Sequence, residues 1–207
     1  MRPSTKLKQQ KIIKAASDLF LEQGYTQTNL DQIIERCGGS KQTIYSYFGD
    51  KRGLLTAVIG LSIEHVAAVF NFRHDDDKTL EQQLVQLGCN FLSTILQPCM
   101  VNTYRLLLTE SFHDKELGEF FITQGPGRVS RYLESFLKGY MDRGELIQTD
   151  PHLACDHLIN LIKCNLMQDA LFGVPAPSEE EIDLHVRQAV RCFLYGYQAC
   201  PVNEETG

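Results

Sequence analysis

The sequence predicts an all-α protein in two parts: a three-helix helix-turn-helix module over residues 1–53, and a larger helical body over residues 54–207 joined to it by a helix running to about residue 72. Three observations carry that reading. Apolar residues recur three and four apart in segment after segment, the period of an α-helix with one buried face. Residues 28–52 pack three helix starts and one tight turn into a short stretch. Charge is divided unevenly, with nine Lys or Arg against five Asp or Glu in residues 1–53, and eleven against twenty-one in residues 54–207. A basic end on an acidic body is expected when only one end of a protein meets phosphates.

The first helix buries a stripe of Ile12, Ala16, Leu19 and Phe20 and ends at Gly24. Arg2, Lys6, Lys8, Lys11 and Lys14 precede or share it, and two readings stay open for them: a solvated face, or an arm along a DNA backbone or minor groove. Asn29 with Gln32 three residues on forms a capping box for a helix over Leu30–Arg36. Gly38-Gly39 ends that helix, Ser40 caps the next, and Ile44 and Phe48 set the inner face of the latter. Asp50 caps a helix to about Phe72, with Leu54, Val58, Leu61, His65 and Val69 along one line.

An α-helix fits the major groove of B-DNA, where side chains at its N-terminus reach base edges. Lys41, Gln42 and Thr43 occupy that end: Gln42 suits an adenine edge, Lys41 a guanine, and Thr43 a thymine methyl or a phosphate. Tyr45, Tyr47 and Lys51 are single-point donors suited to the DNA backbone. These residues resemble the DNA-binding domain of the TetR (tetracycline-repressor-like) family. The match consists of Gly24-Tyr25, Thr28, Asp31, Ile33, Gly38, Ser40-Lys41, Thr43-Ile44-Tyr45, Tyr47-Phe48, Lys51 and Leu54-Leu55, and covers roughly the first quarter of the chain. Three positions depart from the family pattern. Ile34 stands where alanine is usual, Gly39 where valine is usual, and Gln42 where a small residue is frequent. The first two leave the fold intact if Ile34 fills what Gly39 vacates, and the third bears on which bases are read. The expected DNA-binding set is Thr28, Asn29, Lys41, Gln42, Thr43, Tyr45, Tyr47 and Lys51.

His74 to Lys78 reads as a polar linker, its adjacent carboxylates lacking the spacing of a calcium loop. Leu80, Leu84, Leu87, Phe91 and Ile95 mark the next helix, and Pro98 opens another with Val101, Tyr104, Leu107, Leu108 and Phe112 on its stripe. A helix over Glu116–Gln124 meets a turn at Gly125-Pro126-Gly127, after which Arg128–Arg143 is helical and Gly144 turns the chain. Pro151 opens a long helix to about Phe172. Ser178 and Glu181 form a second capping box, before a helix to about Ala199 lined by Ile182, Val186, Ala189, Phe193 and Tyr197. Leu106 to Phe112, Leu117 to Phe120, Gly125 to Val129 and Arg143 to Leu146 resemble the C-terminal domain of AefR-type members of the family. The resemblance implies a C-terminal ligand-binding and dimerisation domain. Its closing hairpin would pack on a two-fold mate as a homodimer, with Leu158, Ile162, Val186, Ala189, Phe193 and Tyr197 at the interface.

No enzyme motif competes: there is no Gly-x-Ser-x-Gly, no His-Glu-x-x-His and no phosphate-binding loop, and nothing calls for a cofactor. Seven scattered cysteines, never spaced Cys-x-x-Cys, predict neither a disulfide framework nor a metal site. With no signal peptide and no apolar run approaching ~18 residues, a cytoplasmic location without membrane attachment is expected.

The function expected is a repressor that binds a palindromic double-stranded DNA operator as a dimer and is released by a small effector, with efflux or detoxification genes as targets. His65, Phe91, Tyr104, Leu108, Phe112, Phe121 and Asn165 are the expected pocket residues. The acidic body, lacking an arginine cluster, favours a hydrophobic or amphipathic effector that is neutral or cationic. Two rivals are a thiol-redox regulator using Cys37, beside the turn, and a helical ligand-binding protein that does not bind DNA.

Overall fold

A computed structural model describes residues 3–70 and 77–197. Arg2, the expected end of the linking helix near Phe72, most of the His74–Lys78 linker, and the chain from 198 on lie outside the described residues. Within them are eleven helices: α1 (Pro3–Gln23), α2 (Leu30–Cys37), α3 (Lys41–Phe48), α4 (Lys51–Val69), α5 (Leu80–Ile95), α6 (Pro98–Ser111), α7 (Lys115–Gln124), α8 (Pro126–Asp142), α9 (Pro151–Lys163), α10 (Leu166–Leu171) and α11 (Glu179–Tyr197).

The caps read from sequence form as expected. At α2 the Gln32 amide donates to Asn29 Oδ1 at 3.0 Å, and the Asn29 amide to Gln32 Oε1 at 2.8 Å. Ser178 and Glu181 repeat the exchange before α11, and Thr79 with Gln82 forms a third box at α5 that the sequence reading passed over. The Gly53 amide donates to Asp50 Oδ1 at 2.7 Å at the start of α4.

The chain divides into two compact units, one holding residues up to His65 together with Pro98–Gly125, the other Val66–Gln97 together with the chain from Pro126. The division falls inside α4, so one continuous helix contributes to both. The first unit has a single core, in which Ile12, Phe20, Ile33, Ile44, Leu54 and Ile59 join Leu106, Leu107 and Leu117. Helices α6 and α7 are thus structural members of the helix-turn-helix unit.

The buried line of α4 is Leu54, Leu55, Val58, Ile59, Ile63 and Ala67, with Phe70 buried just past its end. Leu61 is 39% exposed and His65 is exposed, which corrects the line expected through them. A further correction follows: Lys51–Val69 is long and apolar enough to cross a membrane by length and composition. Its apolarity has a use in the core, since its first half is the centre of the first unit.

In the second unit α5, α9 and α11 pack together and α8 packs on α9. Gly88 permits the close approach: a Cβ there would stand 2.6 Å from Val186 Cγ1 and 3.1 Å from Ile162 Cδ1. The long helix expected from Pro151 to Phe172 is broken. Cys164 takes φ 42 and ψ −133, and α10 starts two residues later. The His185 ring donates through Nε2 to the Ile162 carbonyl at 2.9 Å, serving a helix end whose last carbonyls lack intrahelical donors.

The hairpin residues expected at a dimer interface are largely spent within the protomer. Leu158 and Val186 are 0% exposed, Ile162 and Phe193 1%, and Ala189 6%. Tyr197, half-buried, stacks on Phe193 with ring centroids 4.6 Å apart and hydrogen-bonds the His157 ring. The apolar stripe of a helix in a three-helix layer is claimed first by its own neighbours.

Candidate nucleic-acid interface

The α2–turn–α3 segment is fixed from both ends. Gly38 and Gly39 carry φ of 73 and 111, a region that side-chain-bearing residues rarely adopt. A Cβ on Gly39 would meet nothing nearer than Lys8 Cε at 3.9 Å. Backbone conformation, not want of space, therefore favours glycine at this position. Ser40 Oγ accepts from the Thr43 amide at 3.3 Å and lies 3.1 Å from Thr43 Oγ1, so α3 begins at Lys41. Ile44 is 1% exposed and anchors α3 to the core, with Phe48 and Tyr47 half-buried around it and in edge contact at 6.1 Å. Lys41, Gln42, Tyr45 and Ser46 are left exposed on the outer face.

Of the eight expected contact residues, Lys41, Gln42 and Tyr45 stand exposed on that face, Thr43 and Tyr47 are half-buried, and the other three lie elsewhere. Thr28 is 1% exposed, and its hydroxyl donates to the Gly24 carbonyl at 2.8 Å with the Leu19 carbonyl at 3.3 Å. Its side chain locks the exit of α1, which corrects its assignment as a DNA-contacting group. Asn29 is exposed but occupied as a cap. Lys51 lies 4.2 Å over the Tyr25 ring, with Nζ 3.4 Å from the Thr26 carbonyl it donates to. Burial holds its ammonium below the usual lysine value.

Sequence reasoning missed the ionic partners. Lys41 Nζ stands 2.8 Å from Asp31 Oδ2, and Arg36 makes a two-point bond to Glu22 at 2.8 Å. Arg52, in the first turn of α4, grips Asp114 through Nε and Nη2 and reaches Glu116 at 2.8 Å. Asp114 is also the N-cap of α7, accepting from the Leu117 amide at 3.1 Å, and its hydrogen bonds with Arg52 hold its carboxyl below the usual range. No local pattern announces a pair separated by sixty-two residues.

Cys37 is half-buried; its thiol donates to the Gly38 carbonyl at 3.2 Å, and burial pushes its pKa up. A thiol so placed is short of the thiolate that oxidation requires, which counts against the redox reading.

The expected pocket residues are divided between the two units. Tyr104 and Phe121 meet edge to face at 5.5 Å within the first unit, whereas Leu108 is 43% and Phe112 85% exposed there. Phe91 belongs to the second unit, where Phe70 lies 5.4 Å from it and 6.1 Å from Tyr132. His65 and Asn165 are exposed, Asn165 at the α9–α10 break. Leu108 and Phe112 share the Tyr104 stripe in sequence, but α6 turns Val101, Thr103, Leu106 and Leu107 inward.

An eight-residue helix seated by one buried isoleucine, opened by a capped turn and presenting Lys41, Gln42, Tyr45 and Ser46 outward, is the arrangement of a helix-turn-helix. Residues 12–58 match the family model described as bacterial regulatory proteins, tetR family, and residues 82–199 match the C-terminal domain of AefR-like transcriptional repressors. The chain belongs to the TetR family of DNA-binding transcriptional regulators and carries an AefR-like C-terminal domain. Among its relatives are the transcriptional repressor ComR of Escherichia coli K12, 26% identical over 72% of this chain and 71% of ComR, and the regulator SrpR of Pseudomonas putida, 24% identical over 66% of this chain. The match spans 62% of the length of SrpR. The flavonoid-responsive regulator FrrA superposes with a TM-score of 0.79 at 27% identity, over 93% of this chain and 98% of that structure. Family membership sets aside catalysis and a carrier that does not bind DNA.

Proposed function

We propose that the protein is a cytoplasmic, homodimeric repressor that reads a palindromic operator through α3 and is released by a hydrophobic or amphipathic effector, with export or detoxification genes as its targets. The observation that supports it best is the outer face of α3, where Lys41, Gln42, Tyr45 and Ser46 stand exposed on a helix anchored by Ile44. One such helix offers few base contacts, and a two-fold dimer doubles them on a palindrome.

The dimer surface we propose is the outer side of α9 and α11, where Leu153 is 46%, Leu184 60% and Tyr195 76% exposed. For the effector, the aromatic cluster of Phe70, Phe91 and Tyr132 in the second unit is our candidate contact, with the buried Gln83–Tyr140 hydrogen bond of 2.9 Å as polar neighbour in that unit. An effector releases DNA only by binding better to the conformation that mismatches the operator, a coupling of ~1 to 3 kcal/mol. The experiment is a gel shift with the promoter region beside the protein's own gene at two salt concentrations. It is repeated with lipophilic cations, bile-type detergents, fatty acyl compounds, small anionic metabolites and, given the name of FrrA, flavonoids. Sequence-selective retardation and release by an apolar compound are expected. Release by anionic metabolites alone would contradict the effector class.

A further inference from the structure

We infer that Asp31 is a specificity-determining residue of the DNA contact: by holding the Lys41 ammonium, it withholds one cation per recognition helix from indiscriminate capture by phosphates. The inference rests on the reading that α3 enters the groove. Lys41 is the first residue of α3, and Asp31 lies in the first turn of α2, where unpaired amides favour a carboxylate. Their 2.8 Å contact joins side chains that are 51% and 72% exposed. A pair so exposed adds little to stability, so holding the fold together is a poor reason for it. Its effect falls instead on what the tip of the recognition helix shows to DNA.

A carboxylate only accepts hydrogen bonds and repels phosphate, whereas an unpaired lysine at this position would bind any backbone it met. With the pair closed, Lys41 contributes nothing to the counterion release that drives non-specific binding. Each added phosphate contact steepens the log–log salt dependence by ~0.9, about a three- to fourfold change in affinity between 50 and 200 mM salt. At an operator, a guanine edge within reach offers Lys41 two acceptors in place of one carboxylate oxygen, and only there does the exchange favour DNA. Gln42, uncharged and exposed beside it, reads bases without this cost on random sequence.

The test measures binding of the full chain to operator and scrambled duplexes of equal length by fluorescence anisotropy across a salt series. Wild type, Asp31→Asn, Lys41→Met and the double variant are compared. Asp31→Asn is expected to steepen the salt slope on scrambled DNA by ~0.9 per recognition helix and to narrow the operator preference. In the Lys41→Met background, Asp31→Asn is expected to change neither. An equal effect of Asp31→Asn with and without Lys41 would show simple loss of a negative charge and overturn the inference, as would an unchanged slope. Wild type showing no preference for any duplex would instead remove the DNA reading on which the inference stands.

Discussion

Side chains on two successive helices answer to different physics. Gln42 is exposed in the first turn of α3, while Tyr45 is 52% exposed further along it and Lys51 is drawn over the Tyr25 ring. Gln42→Ala should relax discrimination at one or two base pairs per half-site by ~1 to 3 kcal/mol, measured by competition among single-substituted operators. Lys51→Ala should weaken all sequences alike and lower the salt slope by about one. An unchanged preference profile for Gln42→Ala would remove its reading role. For Cys37, whose thiol pKa burial pushes up, Cys37→Ser should leave the peroxide response of operator binding as it is in wild type.

Between elements, Arg52 grips Asp114 and Glu116 and so ties the first turn of α4 to the N-terminus of α7. Gly53 follows directly, and a Cβ there would collide with the Phe48 carbonyl at the end of α3. Recognition helix, α4 and α7 therefore meet within two residues of α4. Asp114 has a depressed folded-state pKa, so its contribution is present above the unfolded carboxylate value near ~3.9 and is lost as pH falls through the folded value. Asp114→Asn should lower the melting temperature at neutral pH, and the gap to wild type should close in acid. A gap that persists undiminished at pH 2 would show that the carboxylate charge is not what matters.

At the scale of the whole molecule, the surface assignments separate folding from assembly. Phe193, 1% exposed and stacked on Tyr197, belongs to the protomer core, and Phe193→Ala should cost ~3 to 5 kcal/mol of stability by denaturant titration. Leu184→Glu and Tyr195→Glu, on the exposed side of α11, should leave the melting of the protomer nearly unchanged and yield monomers by sedimentation. Monomers would lose palindromic operator binding while keeping weak binding to half-sites. A wild type that sediments as a monomer at micromolar concentration would defeat the dimer proposal.

What the sequence by itself determined was local: the Asn29 and Ser178 boxes, the turn at Gly38-Gly39, the start of α3 at Lys41 and the anchoring by Ile44 all depend on residues within a few positions of one another. Capping and left-handed glycine are short-range effects, so they are legible in one dimension. Periodicity also found the apolar stripes, but it could not say which neighbour would cover each. That is why Phe193 and Val186 read as interface and proved to be core, and why Leu108 and Phe112 read as pocket and are exposed. Only the tertiary structure decided that residues 98–125 complete the helix-turn-helix core, that Arg52 finds Asp114, and that Lys41 rests on Asp31. Each of those is a meeting of side chains from different helices, and a stripe or a charge carries no record of its partner until the helices have packed.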